Sequence, residues 1–490
     1  MKQNSVPSLE AVRQENSPII YDDGLVAELV KRVKEGDIDK VILMCNTKSE
    51  KSKEAIKEYR IESHSINERS DKKRKNKPDY ETNKLPRPWQ FYINEISVFF
   101  MFNNRIKILL DNPMEEIEEL KPYFEDFKKF LDSFYFHERL RQAKRIAGSE
   151  LECAKLYQLY TDAKGQLQVN CKILCNSGEH QLYTLFNKYD KMVAFCDRYF
   201  ARDLELNVEE HYDIYMSDKI YRCTRGNGSN NWTIVAKDNP INKIPVIYFG
   251  QEKEWHGVER RIERDEWLDS KGADTTEYFN DPYMKVSADV VGNRLADAEE
   301  VGKVMKVNDK DSVFEFVAPP EAGDLQQNEK KNLKASILEG TFTPDFSYES
   351  IMGLGTLSGE AIRRMSLPGY IKRSMHQDTY NELIMRDLNL AKAILSDVIY
   401  LNDSEKAQGI RRLNITFELT DPFIGALENN SEEIQAWRTS GAMSVRTAVE
   451  LNSHVKNKEL EVERIFEEKE RLAKIEAAAN ASNNGGGDNE

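Results

Sequence analysis

The sequence predicts an α+β protein of several modules, and three observations carry that reading. Between Leu167 and Asp238, apolar residues recur at every second position in short segments, the signature of strands. Long charge-rich stretches with helical spacing lie on both sides of that region. The length, 490 residues, exceeds one compact domain, and prolines fall where modules would join.

Taken in order, the first eighty residues are polar and carry a basic run, Lys72, Lys73, Arg74 and Lys75, ahead of Pro78. They read as helix and mobile linker, and four adjacent charges are more simply a solvated loop than a nucleic-acid site. From Leu85, LPRPWQFYINEISVFFMFNNRIKI gives paired prolines, an apolar helix, a turn at Asn103 and Asn104, and a short strand. A charged helix around His137 to Arg145 leads to LQVNCKILC, KMVAFCDRYF and NNWTIVAKD, which read as an antiparallel sheet.

Gly257 to Asp281 contains no proline, is dense in mixed charge and stops at Pro282, which predicts a helix. Its apolar stripe is thin, so it should be solvated or packed against copies of itself, not buried in its own monomer. Trp255 and Trp267 border it, with two roles open: anchoring its ends or making an intersubunit contact. A small α/β unit follows: YMKVSADVV, a helix near Ala296 to Gly302, KVMKV, and SVFEFV before Pro319 and Pro320.

A second helix, Asp324 to Leu338, brings the chain back, and Gly340 and Pro344 open a loop through the glycines of MGLGTLSGE. At Ser358 a helix starts: Ser358 can cap, Glu360 suits the positive dipole end, and Leu357 and Ile362 take hydrophobic-staple positions. Pro368 and Gly369 should break or kink it before a longer helix from Tyr370 to Tyr400 and the strand RLNITFEL. Ser444 is placed to cap AMSVRTAVEL, and Glu467 to Arg471 and Glu470 to Lys474 spacings support a final helix before the tail NASNNGGGDNE, read as disordered.

Several function classes are disfavoured by composition. A net charge of -14 argues against a surface that grips phosphate, which needs clustered Lys and Arg. The longest strongly apolar stretch, Ile96 to Phe102, is too short to cross a membrane. Six cysteines are too sparse for a disulfide scaffold and suggest a reducing compartment such as the bacterial cytoplasm. The loop GLGTLSGE lacks the lysine of a phosphate loop and has Glu360 there instead.

Cys171, Cys175 and His180 could suggest zinc, but the cysteines alternate with Val169 and Ile173 on one strand face, which core packing explains. Cys153, Cys196 and Cys223 with His137, His211 and His256 have no activating local context for nucleophilic catalysis. The aromatic residues are not interleaved with Lys and Arg as a stacking platform requires. The expectation is therefore no catalytic residue, no cofactor and no metal.

Five linked stretches resemble the portal proteins of long-tailed phages, over most of the chain from about Leu85 to Glu470. LPRPWQFYINEISVFFMFNN resembles that family's early Pro-containing approach, helix, turn and strand. NPINKIPVIYFGQ, Asn239 to Gln251, with Ile244, Pro245 and Val246, resembles the approach to the stem. The polar helix, the α/β insertion and the returning helix match the stem, clip and stem order. GTLSGEAIRRM, Gly355 to Met365, resembles the Ser-Gly helix after the tunnel loop. ITFELTDP followed by SGAMSVRTAVEL resembles the last wing strand and a helix start with Gly441, Ser444 and Thr447.

The resemblance implies a portal-like fold: a mixed wing over 85–255, stem helix 256–282, clip 283–320, returning stem helix 321–340 and tunnel loop 341–357. Wing helices and a strand at 358–425, a crown at 426–476 and a disordered tail at 477–490 complete it. Residues 1–84, an N-terminal helix and linker, depart from the family and take no role. The implied function is a ring, usually of twelve subunits, at one capsid vertex, the channel through which double-stranded DNA enters and leaves without sequence-specific contact.

Implied partners are the major capsid protein, the scaffolding protein, the terminase large subunit that carries the motor's ATPase, and the head-to-tail adaptor, with no membrane. The implied location is the virion, after assembly in the host cytoplasm. Thr341, Gly353, Gly355, Leu357, Ser358 and Gly359 map to the tunnel loop and helix cap; Arg260, Arg261, Glu263, Arg264 and Asp265 map to the stem, where mixed charges could pair between neighbours. An adaptor or minor capsid protein would share the acidity, but the stem, clip and stem order speaks against it. A nucleotide- or metal-dependent DNA-processing enzyme would need a phosphate loop or an acidic metal cluster, and the sequence offers neither in a coherent context.

Overall fold

The computed structural model describes residues 24–71, 73, 81–163, 165, 167–202, 206–226, 229, 231–280, 284–286, 314–316, 322–352, 359–423, 431–451, 455 and 458–483. The chain begins with α1 (Leu25–Glu35), α2 (Ile38–Met44) and α3 (Ser49–Tyr59), then two 3-10 turns at Ile61–Ser63 and Ser65–Glu68. Next come α4 (Trp89–Phe102), β1 (Lys107–Leu110), α5 (Met114–Ser133) and α6 (Phe136–Glu150). The strands β2 (Glu152–Thr161), β3 (Leu167–Leu174), β4 (Gln181–Phe186), β5 (Met192–Arg202), β6 (Val208–Tyr215), β7 (Lys219–Gly226), β8 (Thr233–Asp238) and β9 (Val246–Gly250) follow.

Beyond them lie α7 (Glu259–Asn280), β10 (Met284–Val286), β11 (Phe314–Phe316), α8 (Ala322–Gly340), α9 (Tyr348–Met352) and α10 (Gly359–Ile394). The last elements are α11 (Ser404–Arg412), β12 (Ile415–Glu418), α12 (Ser431–Thr439), α13 (Val445–Leu451) and α14 (Lys458–Asn483). The α+β class holds. Two units result, residues 1–345 with 368–419 and residues 346–367 with 420–490.

In the first unit, apolar faces decide the layering. Leu25, Leu29 and Val33 recur every four residues on α1 and, with Ile38 and Val41 of α2, cover Tyr183, Leu185, Cys196, Tyr212, Ile214 and Cys223 of a five-stranded sheet. That sheet runs β4-β5-β6-β7-β8, all antiparallel. Gly36, at φ 79°, supplies the left-handed turn between the two helices. Because strand side chains alternate, Phe195 and Tyr215 point the other way, onto Ala154, Leu156 and Val246 of a second sheet, β3-β2-β9. The far side of that second sheet, Cys153, Tyr157, Cys171 and Phe249, packs on Phe102, Phe127, Phe136, Leu140, Tyr380, Ile384 and Leu388 from the surrounding helices.

Several sequence expectations change here. The single antiparallel sheet is two sheets, with β3 in one and β4 to β8 in the other. Residues 25–68, read as helix and mobile linker, hold three helices and two 3-10 turns with buried apolar faces. Pro368 does not break the chain's path: α10 is one helix from Gly359 to Ile394, with Pro368 inside it. In the second unit α14 extends to Asn483, so the first residues of the supposed tail are helical. There Ser444 does cap α13, its hydroxyl accepting from Thr447 N at 3.1 Å, and Glu470 pairs with Lys474 at 2.9 Å. The expected helix near Ala296 to Gly302, the strand KVMKV and most of the basic run lie outside the described residues.

Candidate functional site

The helix pair α7 and α8 is the part of the molecule that the sequence left without a core, and its surroundings supply one. Trp255, fully buried, stacks on Tyr59 at 5.7 Å and donates its indole N–H to Glu58 at 2.7 Å. Gly257 then turns at φ 88°, and α7 begins. Val258, Ile262 and Ile337 close a small apolar cluster with Ala55, Ile93, Leu151 and Trp255. The two helices approach closely at their base, where a Cβ on Gly340 would sit 2.9 Å from a Val258 methyl.

Along the rest of α7, residues 61–71 and 81–88 form a strap that covers an acidic face. Asp265 is wholly buried and accepts hydrogen bonds from Arg87 Nη1 at 2.9 Å and Trp89 Nε1 at 2.8 Å. Glu266 accepts from Arg87 N at 2.9 Å and bonds His64 Nδ1 at 2.6 Å. Asp269 takes Arg87 Nε at 2.8 Å and Lys330 from α8. Asp274 accepts from Asn83 N at 2.8 Å and Arg69 Nη2 at 2.6 Å, and Ser270 Oγ accepts from Leu85 N at 2.9 Å. Four acids thus face Arg69, Arg87, Lys330 and His64, so the charges balance when His64 is protonated.

The titration shifts follow from this geometry. Burial lowers the His64 imidazole, but the hydrogen bond and charge of Glu266, with smaller help from the Glu58 backbone and the Glu62 charge, together reverse that, and its pKa ends above the ordinary value. For Asp274, burial raises the carboxyl, and the donors from Asn83 and Arg69 outweigh it, leaving the pKa below the usual range.

A second buried charge cluster lies under the base of the pair. Glu254 receives Lys144 Nζ at 2.6 Å, with Lys372 Nζ at 3.0 Å and His376 Nε2 at 3.5 Å. Burial raises the Glu254 carboxyl, but Lys144, Lys372 and His376 hold it well below the usual range. Lys155 pairs with Asp387, which also accepts from Tyr157 Oη at 2.6 Å. These contacts fasten α10 to α6, β2 and the segment leading into α7.

The sulfur and histidine candidates do other work. Cys153 donates to Ala143 O, and burial pushes its thiol well up. Burial likewise raises Cys171 to about 11 and Cys223 to about 12, which opposes thiolate formation. His180 bonds Asp197 at 2.9 Å, and His211 stacks on Tyr199 at 4.9 Å. Among the described residues no three His, Cys, Asp or Glu side chains are grouped to hold a metal ion.

What remains is a pair of helices braced by its own chain. The chain matches the family described as phage portal protein, SPP1 Gp6-like, over residues 42–474. It belongs to that family. No curated relative matches it. As a portal protein it is a structural component of the virion, associated with the capsid and with DNA packaging. The match starts inside α2, well before Leu85, so α3 and the strap fall within the family's extent, against the expectation that all of residues 1–84 depart from it.

Within this portal protein the five charges singled out on the polar helix divide. Asp265 is used by Arg87 and Trp89, Arg261 donates to Ser336 O at 3.2 Å, and Arg264 pairs with Glu329 at 2.9 Å. The expectation that a helix this polar avoids burial in its own monomer is therefore wrong: its acids are buried because the strap brings the cations. Arg260 and Glu263 are exposed and form no ion pair among the described residues.

Of the loop residues, Thr341 is buried, its Oγ1 donating to Ile337 O at 2.9 Å, and so ends α8 instead of projecting from it. Gly359 is the first residue of α10, while Gly353, Gly355, Leu357 and Ser358 lie outside the described residues. The strap was the bracing element missed. Its signal was Pro86-Arg87-Pro88-Trp89, a stiff extended segment carrying a guanidinium and an indole N–H.

Proposed function

We propose that this chain is one subunit of a ring at a single capsid vertex, the conduit for double-stranded DNA during packaging and ejection. In this reading α7 and α8 are the stem, residues 283–320 the clip, residues 341–357 the tunnel loop, and the second unit carries the crown. The ring has about twelve copies, as closed cyclic symmetry permits. The clip serves the terminase large subunit and later the head-to-tail adaptor; the wing and crown meet the major capsid and scaffolding proteins. The chain itself is no enzyme, and the ATPase belongs to the terminase.

The single observation that carries this beyond family membership is the braced pair α7 and α8. Every buried acid on α7 has a cation or donor from its own chain, so the pair can stand out from the wing without a buried unpaired charge. With a net charge of -14, the protein is also a poor phosphate binder, which suits a channel that DNA must slide through. Electron microscopy of the purified full chain tests it. End-on views should show a closed ring with a central hole, and strictly monomeric particles at high concentration would count decisively against the reading.

A further inference from the structure

We infer that Asp197 and Asp213 form a proton-operated clasp between β5 and β6: with one proton between them the two carboxyls share a hydrogen bond, and without it they repel across the sheet and that part of it opens more readily. The inference concerns a single subunit and stands whether or not copies form a ring.

The strand register sets the pair. β5 and β6 run antiparallel, with Phe195 opposite Tyr215, Asp197 opposite Asp213 and Tyr199 opposite His211. Side chains alternate along a strand, so these six share one face, while Cys196, Tyr212 and Ile214 take the other, under α1 and α2. Directly opposite Cβ atoms lie about 5 Å apart, and like charges so placed destabilise a sheet. Both acids are also almost wholly covered, Asp197 at 2% and Asp213 at 5% exposure. A sheet built for strength alone would not set two buried carboxylates face to face.

The neighbours serve one acid and neglect the other. His180, just ahead of β4, places Nδ1 2.9 Å from both oxygens of Asp197. Lys172 Nζ, on β3, lies 3.1 Å from His180 Nε2, and an ammonium can only donate, so Nε2 accepts and Nδ1 carries the hydrogen given to Asp197. Asp213 has less. Its Oδ2 accepts two long hydrogen bonds, from Tyr199 at 3.4 Å and Tyr215 at 3.5 Å, and its Oδ1 has no partner. Arg222, opposite it on β7, is exposed and makes no ion pair with it among the described residues. His211 stacks on Tyr199 and turns Nε2 to Glu209 at 3.7 Å. From β4 the residue opposite Asp197 is the uncharged Leu182, and the second sheet meets this face with Ala154, Leu156 and Val246.

A proton on Asp213 resolves the conflict, because its hydroxyl can donate to Asp197 and turn repulsion into a hydrogen bond. Burial and the Asp197 charge raise the Asp213 carboxyl above its ordinary value, against the pull of Arg222, His211 and the Tyr199 hydroxyl. A carboxyl raised by folding stabilises the folded chain fully below its ordinary value of 3.8, and that contribution is lost as pH rises through the raised value. The clasp therefore tightens on acidification, opposite in sign to Asp274, whose pKa folding lowers.

Hydrogen exchange of the full chain tests this, read by mass spectrometry on peptides spanning β5 and β6 and corrected for the intrinsic rate at each pH. Between about pH 4 and pH 8, protection of these peptides should fall severalfold as pH rises. Asp213→Asn, whose amide donates to Asp197 at every pH, should hold protection at its acid level throughout. Asp197→Asn should flatten the profile too, since a neutral amide there ends the repulsion, and either variant suffices if the other fails to fold. His180→Gln and His211→Gln should leave the fall in place. A flat wild-type profile, a fall that survives Asp213→Asn, or a fall abolished by either histidine variant would overturn the clasp.

Discussion

Asp265 has no exposed surface, yet its carboxylate joins two elements far apart in sequence by accepting from Arg87 and Trp89. Replacing it with alanine leaves both donors facing a void, and we expect a loss of about 3 kcal/mol in chemical denaturation, as for one broken partner of a buried pair. Arg260→Ala, on the open face, should stay within about 0.5 kcal/mol. Equal effects from the two would mean that the strap does not clamp α7. His64 adds a pH dependence. Its pKa is raised in the folded chain, so its contribution is complete below the ordinary value of 6.5 and is lost as pH rises through the raised value. The charges acting on it are those of Glu266 and Glu62, and the Glu58 backbone carbonyl adds a hydrogen bond. Limited proteolysis of the strap should therefore quicken above pH 6.5, and His64→Gln should flatten that rise. Which acids would be buried was not legible, because in a chain with 31% charged residues no spacing distinguishes a covered carboxylate from a solvated one.

Among the elements, β2 went unread for a reason that its packing explains. Cys153 and Tyr157 enter one core and Ala154 and Leu156 another, so the strand is covered on both faces and lacks the alternation that marked β3. The Pro368 break was inferred from local chemistry alone. Downstream, Lys372 on Glu254, Tyr380 on Gln251 and Asp387 on Lys155 and Tyr157 hold α10 in place, and tertiary contacts override the local preference. Gly369, next to that proline, carries its own constraint. A Cβ there would lie 2.3 Å from ring carbons of Phe100, itself buried and edge-on to Tyr370 at 5.3 Å. Gly369→Ala should therefore cost about 1–3 kcal/mol in thermal or chemical unfolding, the range for overpacking a filled core. Gly24→Ala, where a Cβ meets nothing within 4 Å, is the control and should not destabilise. A silent Gly369→Ala would show that Phe100 has room to turn aside.

At the scale of the whole molecule, the mixed helix-and-strand class was readable because helix and strand periods are local, whereas the bracing of the polar helix pair was not. Asn83 meets Asp274 across 191 residues, and Glu58 meets Trp255 across 197, separations at which pattern carries no information. The consequence is a molecule with two populations of charge. One is buried and paired within the chain, at Asp265, Glu266, Asp274 and Glu254; the other, at Arg260, Glu263, Lys331 and Glu339, faces outward. Salt separates them. At 1 M ionic strength the Debye length falls to about 3 Å from about 10 Å at 0.1 M, so exposed pairs between copies are screened and buried pairs barely are. Raising sodium chloride across that range should reduce the fraction of assembled rings in mass photometry while the denaturation midpoint of the subunit changes little. If both fell together, the in-chain bracing would be as solvent-accessible as the outward charges, and the division between the two populations would fail. If neither fell, apolar contact would dominate the assembly, and the outward charges would set only the register of one copy against the next.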